Sequence, residues 1–480
     1  MKSRYILRPL FFVAVSLLSA NGLMAQTATE YFMESSFSRL TLNPAQRPNQ
    51  GYVTFIAPLV DVYAGVKTNT LNLDNFTFPV DGNRVTFMHK DVTSEQFLKN
   101  IKDDNYVSFD TKINIFGVGF YKGDAFWSVD MNIRSHVDAN LPKQIFALAK
   151  NGFSQDKQTI YNIENTNATG NAYLELGVGY SRPVLNNSLI VGGKVKLLSG
   201  IADFDLDAKS LELEAGPDIW RAKSHVVLKG SAPGIKVKKK IDEDDGTEKF
   251  DGFEDFEFDG LSSLGFGLGF DLGAVYDLGS TVDVLKGVKV SAALTDIGFM
   301  KWNEKNTVIL ESPETVIIID PNDYTIHQDG STSLNDVFED VLDDLEKAVD
   351  LKTQTPKSRT IALRSTLNLG AEYEILSGKL SAGALYSNRF GTYFNSSEFT
   401  LSANYRPCSW FAASAGYSFI HSSFDTFGLA MHLAPSKGLR LFLASDYAIP
   451  HINPQGAPTT SKALNFQIGI SVPIGAKRVL

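Results

Sequence analysis

The chain has 480 residues, a single Cys and a formal net charge of −9 at pH 7. One cysteine cannot close an intramolecular disulfide or build a cysteine zinc site, and an acidic chain without a long basic run argues against nucleic acid as a partner. Hydrophobic residues make up 43%, yet beyond residue 25 no apolar run approaches the ~20 residues of a spanning helix. This excludes a polytopic helical membrane protein but not a β-barrel, whose strands alternate apolar and polar residues.

Lys2, Arg4 and Arg8 precede an apolar stretch from Leu10 to Leu18 and then Leu23-Met24-Ala25-Gln26. That order is the one of a secretory signal over residues 1–25, cut after Ala25, and no cysteine follows to carry a lipid. Residues 26–50 have too few alternating apolar positions for a strand. They contain Asn43-Pro44-Ala45 and are expected to fold back as a lumen plug.

From residue 51 to 480 period-two segments follow one another. The first seven are read at 51–66, 107–121, 124–137, 172–183, 188–203, 264–277 and 285–299. The second seven lie closer together, at 360–375, 378–390, 398–406, 410–421, 425–433, 438–447 and from 464 onward. In 360–375 the odd positions, including Ile361, Leu363, Leu367, Leu369 and Tyr373, oppose Arg364, Asn368 and Glu372. Fourteen strands, with sixteen as the alternative count, predict an all-β transmembrane antiparallel barrel. The connections sort by parity: 67–106, 138–171, 204–263 and 300–357 are long, whereas those between are short turns. A soluble sandwich has no reason to sort loops this way, but an outer-membrane barrel does.

The polar faces of these strands carry Asp130, Arg134, Lys194, Lys196, Lys289, Arg364, Glu372, Arg389, Glu398, Arg406, Arg440 and Asp446. In a barrel they face the lumen, either as a salt-bridged wall lining or as a charge ladder for a permeating solute. The third long connection holds ten acidic residues between Asp242 and Asp259. Asp242 and Asp244 begin like a calcium loop, but Gly246 falls one place early and Phe253 stands where the closing carboxylate belongs, so a solvated acidic loop is expected and no metal is assigned. Lys236 and Lys238 to Lys240 just before it suit a hairpin with the acidic run. In the fourth, Leu334, Val337, Phe338, Val341, Leu342 and Leu345 recur at helical spacing opposite an acidic face. A shorter helix is expected at 141–150. No catalytic constellation stands out, Gly265-x-Gly267-x-Gly269 lacks the strand-to-helix context of a nucleotide loop, and neither an enzyme nor a cofactor is expected.

The Asn43-Pro44-Ala45 entry into the first strand and the run Asp296-Ile297-Gly298-Phe299-Met300-Lys301-Trp302 resemble an uncharacterised family of Bacteroidetes outer-membrane barrels. More distantly, the Asn-Pro-Ala motif and the strand count are similar to the long-chain fatty-acid transporter superfamily and to the shuttle barrel of the type IX secretion system. That resemblance implies a plug held by Asn43, residence in outer-membrane lipid and passage of a small hydrophobic solute. Two functions stay open: a plugged passive transporter or channel for small solutes, and a structural or secretion-associated barrel that docks surface proteins through its acidic loops.

Overall fold

The computed structural model of the protein describes residues 28–55, 61–152, 158–215, 220–233, 237–241, 248–253, 264–312, 315–319, 351–376, 378–391, 393, 395–420, 424–436, 438–447 and 462–478. Fourteen antiparallel strands close on themselves. They are β1 (Gly51–Phe55, continued by Asp61–Thr68), β2 (Asp104–Lys122), β3 (Ala125–Pro142), β4 (Asn167–Val184), β5 (Leu189–Ala215), β6 (Gly265–Asp277) and β7 (Val288–Trp302). Then come β8 (Arg359–Ala362, continued by Thr366–Leu376), β9 (Leu380–Arg389), β10 (Ser396–Tyr405), β11 (Phe411–Ile420), β12 (Phe424–Ser436), β13 (Leu439–Ser445) and β14 (Ala463–Ile474). Each strand pairs with the next, and β14 returns to β1 through Gly51↔Ile474 and Val62↔Ile468.

Burial is inverted relative to a water-soluble fold. Phe270 is 44% exposed while its neighbour Asp271 is fully enclosed. The same holds around the wall: Phe116, Leu369, Leu401 and Tyr417 face out, and Asn132, Asn368, Thr400 and Gln467 face in. A continuous apolar exterior of this extent is not compatible with water, whereas hydrocarbon accepts it, and closure leaves no unpaired strand edge in lipid. Trp127 and Tyr180, paired edge-on with ring centres 4.6 Å apart, sit outside near the short turns with Tyr405 and Trp410, as interfacial aromatic girdles do.

The short turns all lie at one end. Gly123 and Asp124 join β2 to β3, with Gly123 at φ +60°, and 185–188 join β4 to β5. At the other end the connections build structure of their own. A helix at Ser94–Leu98, started by a Thr93 and Gln96 capping box, and one at Lys143–Asn151 pack with a hairpin (Thr77–Val80 with Asn83–Thr86) around Phe76, Phe87, Phe97 and Phe146. Strand β5 runs twelve residues past the sequence reading, to Ala215, because Phe204, Leu206 and Ala208 continue the alternation. Its far end pairs with Trp220–Ser231, which pairs in turn with Thr307–Glu311 and Thr315–Ile319. Much of the expected loops 204–263 and 300–357 is therefore sheet. The lysine run forms a hairpin, Val237–Ile241 against Glu248–Phe253, in which Ile241 faces Glu248. The signal segment, Asp242, Asp244 and the helical pattern 334–345 lie outside the described residues.

One expectation about the wall is corrected. Ile361 and Leu363 do not face outward with Leu367 and Leu369. Leu363 is buried on Tyr173, Leu198, Leu264, Met300 and Trp302, and Ile361 packs against the same cluster. The cause is an irregularity shared by β7 and β8. Asp296 adopts φ +58°, and the β7–β8 ladder stops at Thr295↔Thr366 and resumes at Phe299↔Ala362. The two strands keep the same register on both sides of the break, but each takes one extra residue within it, which exchanges the two faces of everything beyond.

Candidate functional site

The barrel interior is filled from its own N-terminus. Residues 28–50 run as two 3-10 turns, Ala28–Glu30 and Ser38–Thr41, joined by short bends. The segment is nearly all buried: Tyr31, Phe32, Met33 and Asn43 are 2% exposed or less. Its fold is held by polar groups with no access to water, which must find partners inside. Glu30 accepts from the Ser36 hydroxyl at 2.8 Å and the Ser38 hydroxyl at 2.5 Å. The Asn43 side-chain oxygen Oδ1 accepts from the Ala45 amide at 2.9 Å, bridging Pro44, and its Nδ2 donates to the Tyr31 hydroxyl at 2.9 Å.

The wall is shaped to receive this segment. A side chain at Gly192 would strike the Pro44 carbonyl and the Ala45 nitrogen at 2.5 and 2.6 Å, and one at Gly273 would overlap the Asn43 carboxamide. Glycine at these two places lets the wall backbone approach Asn43-Pro44-Ala45. Elsewhere the contacts are polar. Asp446 accepts from the Ala28 and Thr29 amides, each at 2.8 Å, Asn368 donates to the Leu42 carbonyl at 2.8 Å, and Arg47 to the Asp124 carbonyl at 2.8 Å. Tyr121 donates to the Pro48 carbonyl at 2.7 Å, and Arg406 pairs with Glu34 at 2.6 Å.

Beyond the segment lies a layer of paired charges. Asp296 takes a two-pronged contact from Arg134, at 2.7 and 3.1 Å, and one from Lys196 at 2.6 Å. Lys196 also meets Asp271 at 2.7 Å, Arg134 meets Glu175 at 3.1 Å, and Lys194 meets Asp130 at 2.7 Å. Arg364 and Arg389 share Asp110 at 3.0 and 2.7 Å, and Lys67 reaches Glu398 at 2.8 Å. Above this layer sits the apolar cluster around Trp302.

Of the twelve charged residues expected on the inner faces, Asp130, Lys194, Lys196, Glu372, Glu398 and Asp446 are buried. Arg134 and Lys196 meet at Asp296, Asp130 with Lys194, Arg364 with Arg389, and Glu372 with Arg406 at 3.8 Å. Arg440 contacts Gln50, and Lys289 lines a cavity beside the N-terminal segment. The inward charges read from the sequence left out the acids Asp110, Glu175 and Asp271, though each sits on a polar strand face, and also Asp296, which is turned inward only by its bulge, and Arg39. Arg39 is 3% exposed. Burial lowers the pKa of its guanidinium, and the nearby Glu34 and Glu372 pull it back up. Among the described residues no group of His, Cys, Asp and Glu is arranged to hold a metal ion.

Fold and site together define a transmembrane β-barrel whose lumen is occupied by its own N-terminal segment. The chain belongs to a family of unknown function, DUF5723, whose model matches residues 44–446. No curated protein matches it. Among solved structures it is similar to the Pseudomonas putida toluene transporter TodX, at 9% identity and a TM-score of 0.39, with 94% of this chain and 97% of that one covered. It is also similar to the monoaromatic hydrocarbon channel CymD, at 8% identity and a TM-score of 0.37, with 92% of each chain covered. The translocator domain of the autotransporter NalP from Neisseria meningitidis follows at 8% identity and a TM-score of 0.29, with 88% of each chain covered.

Proposed function

We propose that the protein is an outer-membrane channel for small solutes, hydrophobic ones among them, and that residues 28–50 are its plug. The observation that carries this reading is how the segment is held. Among the described residues no backbone ladder joins it to a wall strand; it is attached by side-chain hydrogen bonds, a single backbone hydrogen bond from Arg478 to the Asn49 carbonyl, one ion pair and close packing. Such contacts can break and re-form without opening the barrel, whose own ladder is complete around the ring. The outer-membrane location is supported by the closed barrel, the outward apolar face and the signal-like first 25 residues. The apolar lumen cluster of Leu198, Leu264, Met300 and Trp302 above the paired charges supports a solute with an apolar body.

Planar-bilayer recording tests the proposal. Removing residues 26–50 should convert a closed or barely conducting barrel into one with large, steady single-channel currents. A folded deletion variant that conducts no more than the full protein would sink the idea.

A further inference from the structure

Several of the lumen's charge pairs reach across the ring instead of joining neighbouring strands. Strand β8 is bonded to β7 and β9, and β2 to β1 and β3, so β2 and β8 stand nearly opposite each other in the closed sheet. Yet Arg364, in the break of β8, donates from Nη1 to Asp110 of β2 at 3.0 Å and from Nη2 to the Ser108 hydroxyl at 3.3 Å, and its Nε lies 3.4 Å from Asp138 of β3. Arg389, at the end of β9, reaches the other Asp110 oxygen at 2.7 Å. Lys67 of β1 meets Glu398 of β10 at 2.8 Å, and Arg134 of β3 meets Asp296 of β7 at 2.7 Å.

A round barrel does not permit this. Eight strands already enclose an interior that side chains only just fill, and the diameter grows with strand number. In a round ring of fourteen, an arginine and an aspartate on opposite walls would not touch. The links therefore record a pinched cross-section, in which β2 and β3 stand close to β8 and β9. The Asp110 and Arg389 side chains are 20% and 21% exposed, so water reaches this waist. The bonds of Asp110, Arg364 and Arg389 named above run from wall to wall and not to residues 28–50, and the waist does not need the plug to hold it.

We propose that this waist, held by Asp110 between Arg364 and Arg389, is the size filter of the channel: when the plug is displaced, small solutes pass beside the links and bulkier ones are refused. This deepens the channel reading and rests on it. One carboxylate holds two arginines from two strands, so its loss frees both and leaves two like charges that repel. Ion pairs that only stabilise the wall would, when removed, lower stability and leave the bore as it was.

The test is osmotic swelling of liposomes carrying the full chain, in arabinose and in the bulkier raffinose. The raffinose-to-arabinose ratio of rates cancels how often the plug opens and reports the bore. It should be low for the unaltered protein and rise at least about tenfold in Asp110→Ser, since passage is set by pore diameter. The double variant Arg364→Ser with Arg389→Ser, which removes the links from the other wall, should raise it likewise, and Asp110→Glu should raise it less. The heat-dependent shift on SDS gels reports folding. If no serine variant folds, the unaltered protein decides: raffinose entering about as fast as arabinose overturns the filter, and its exclusion supports it. An unchanged ratio in the folded serine variants overturns the filter, even if removing residues 26–50 speeds arabinose entry and so upholds the plug. A raised ratio in Asp110→Ser, with arabinose entry indifferent to that deletion, upholds the filter and overturns the plug. Entry of neither sugar through any of these proteins overturns both.

Discussion

Asp296 concentrates several demands on one residue. It holds a left-handed backbone conformation that costs a non-glycine residue about 1–3 kcal/mol, and it receives both Arg134 and Lys196 in the enclosed lumen. The bulge it creates turns its carboxylate toward these cations, so the strain and the pairing arise from the same geometry. Asp296→Ala should destabilise the barrel by roughly 3–5 kcal/mol, because it leaves two buried cations short of a partner; urea unfolding followed by the SDS-gel shift measures this. Asp296→Gly should recover about 1 kcal/mol of that loss by relieving the backbone while the charge defect persists. Gly273 makes the opposite kind of demand, for empty space. Gly273→Val would drive a side chain into Asn43, so we expect a folded barrel with a displaced plug and raised conductance in planar bilayers. A conductance equal to that of the unaltered protein would show that the Asn43 seat does not hold the lumen closed.

At the level of the strand, alternation made most of the wall legible. Leu367, Leu369 and Tyr373 against Asn368 and Glu372 give strand, face and lipid contact at once, since a period of two leaves only the choice of which face meets lipid. What alternation could not reveal was the change of step at Asp296. Thr295-Asp296 has no composition that sets it apart from an ordinary polar position, and the matching break at 363–365 lies inside an apparently regular run. Ile361 and Leu363 were therefore assigned to the wrong face, although they lie only a few residues from positions read correctly. The end of β5 was missed for a different reason: Phe204, Leu206 and Ala208 do alternate, but the run outlasts the length a membrane needs. The lipid face yields a direct check. Leu369→Arg, midway along β8, should cost about 2–4 kcal/mol and lower the folded fraction in liposomes. If the variant inserts as efficiently as the unaltered chain, that face does not meet hydrocarbon.

Across the whole molecule, the usual relation between core and surface is exchanged. The lumen is packed with serine, asparagine, carboxylates and cations, and it is satisfied mostly by side-chain partners because the wall backbone is consumed by its own ladder. Loop parity made this architecture readable from the chain, and Asn43-Pro44-Ala45 marked the segment that fills it. Neither could reveal Arg39 or the cavity beside it, since that cavity arises only where a short irregular segment meets four strands from distant parts of the chain.

The points to which this segment is tied also fix when it can take its place. Its contacts reach Asp124, the Ala274 carbonyl, Asn368, Asp446 and the Gly475 carbonyl, just past the last strand. No partial barrel offers all of them. The stretch that precedes every wall strand along the chain is thus the last to find its native surroundings, and its docking certifies that the final strand has closed the ring. A barrel that failed to close would leave its lumen unsealed, so sealing and completion are coupled in a single event.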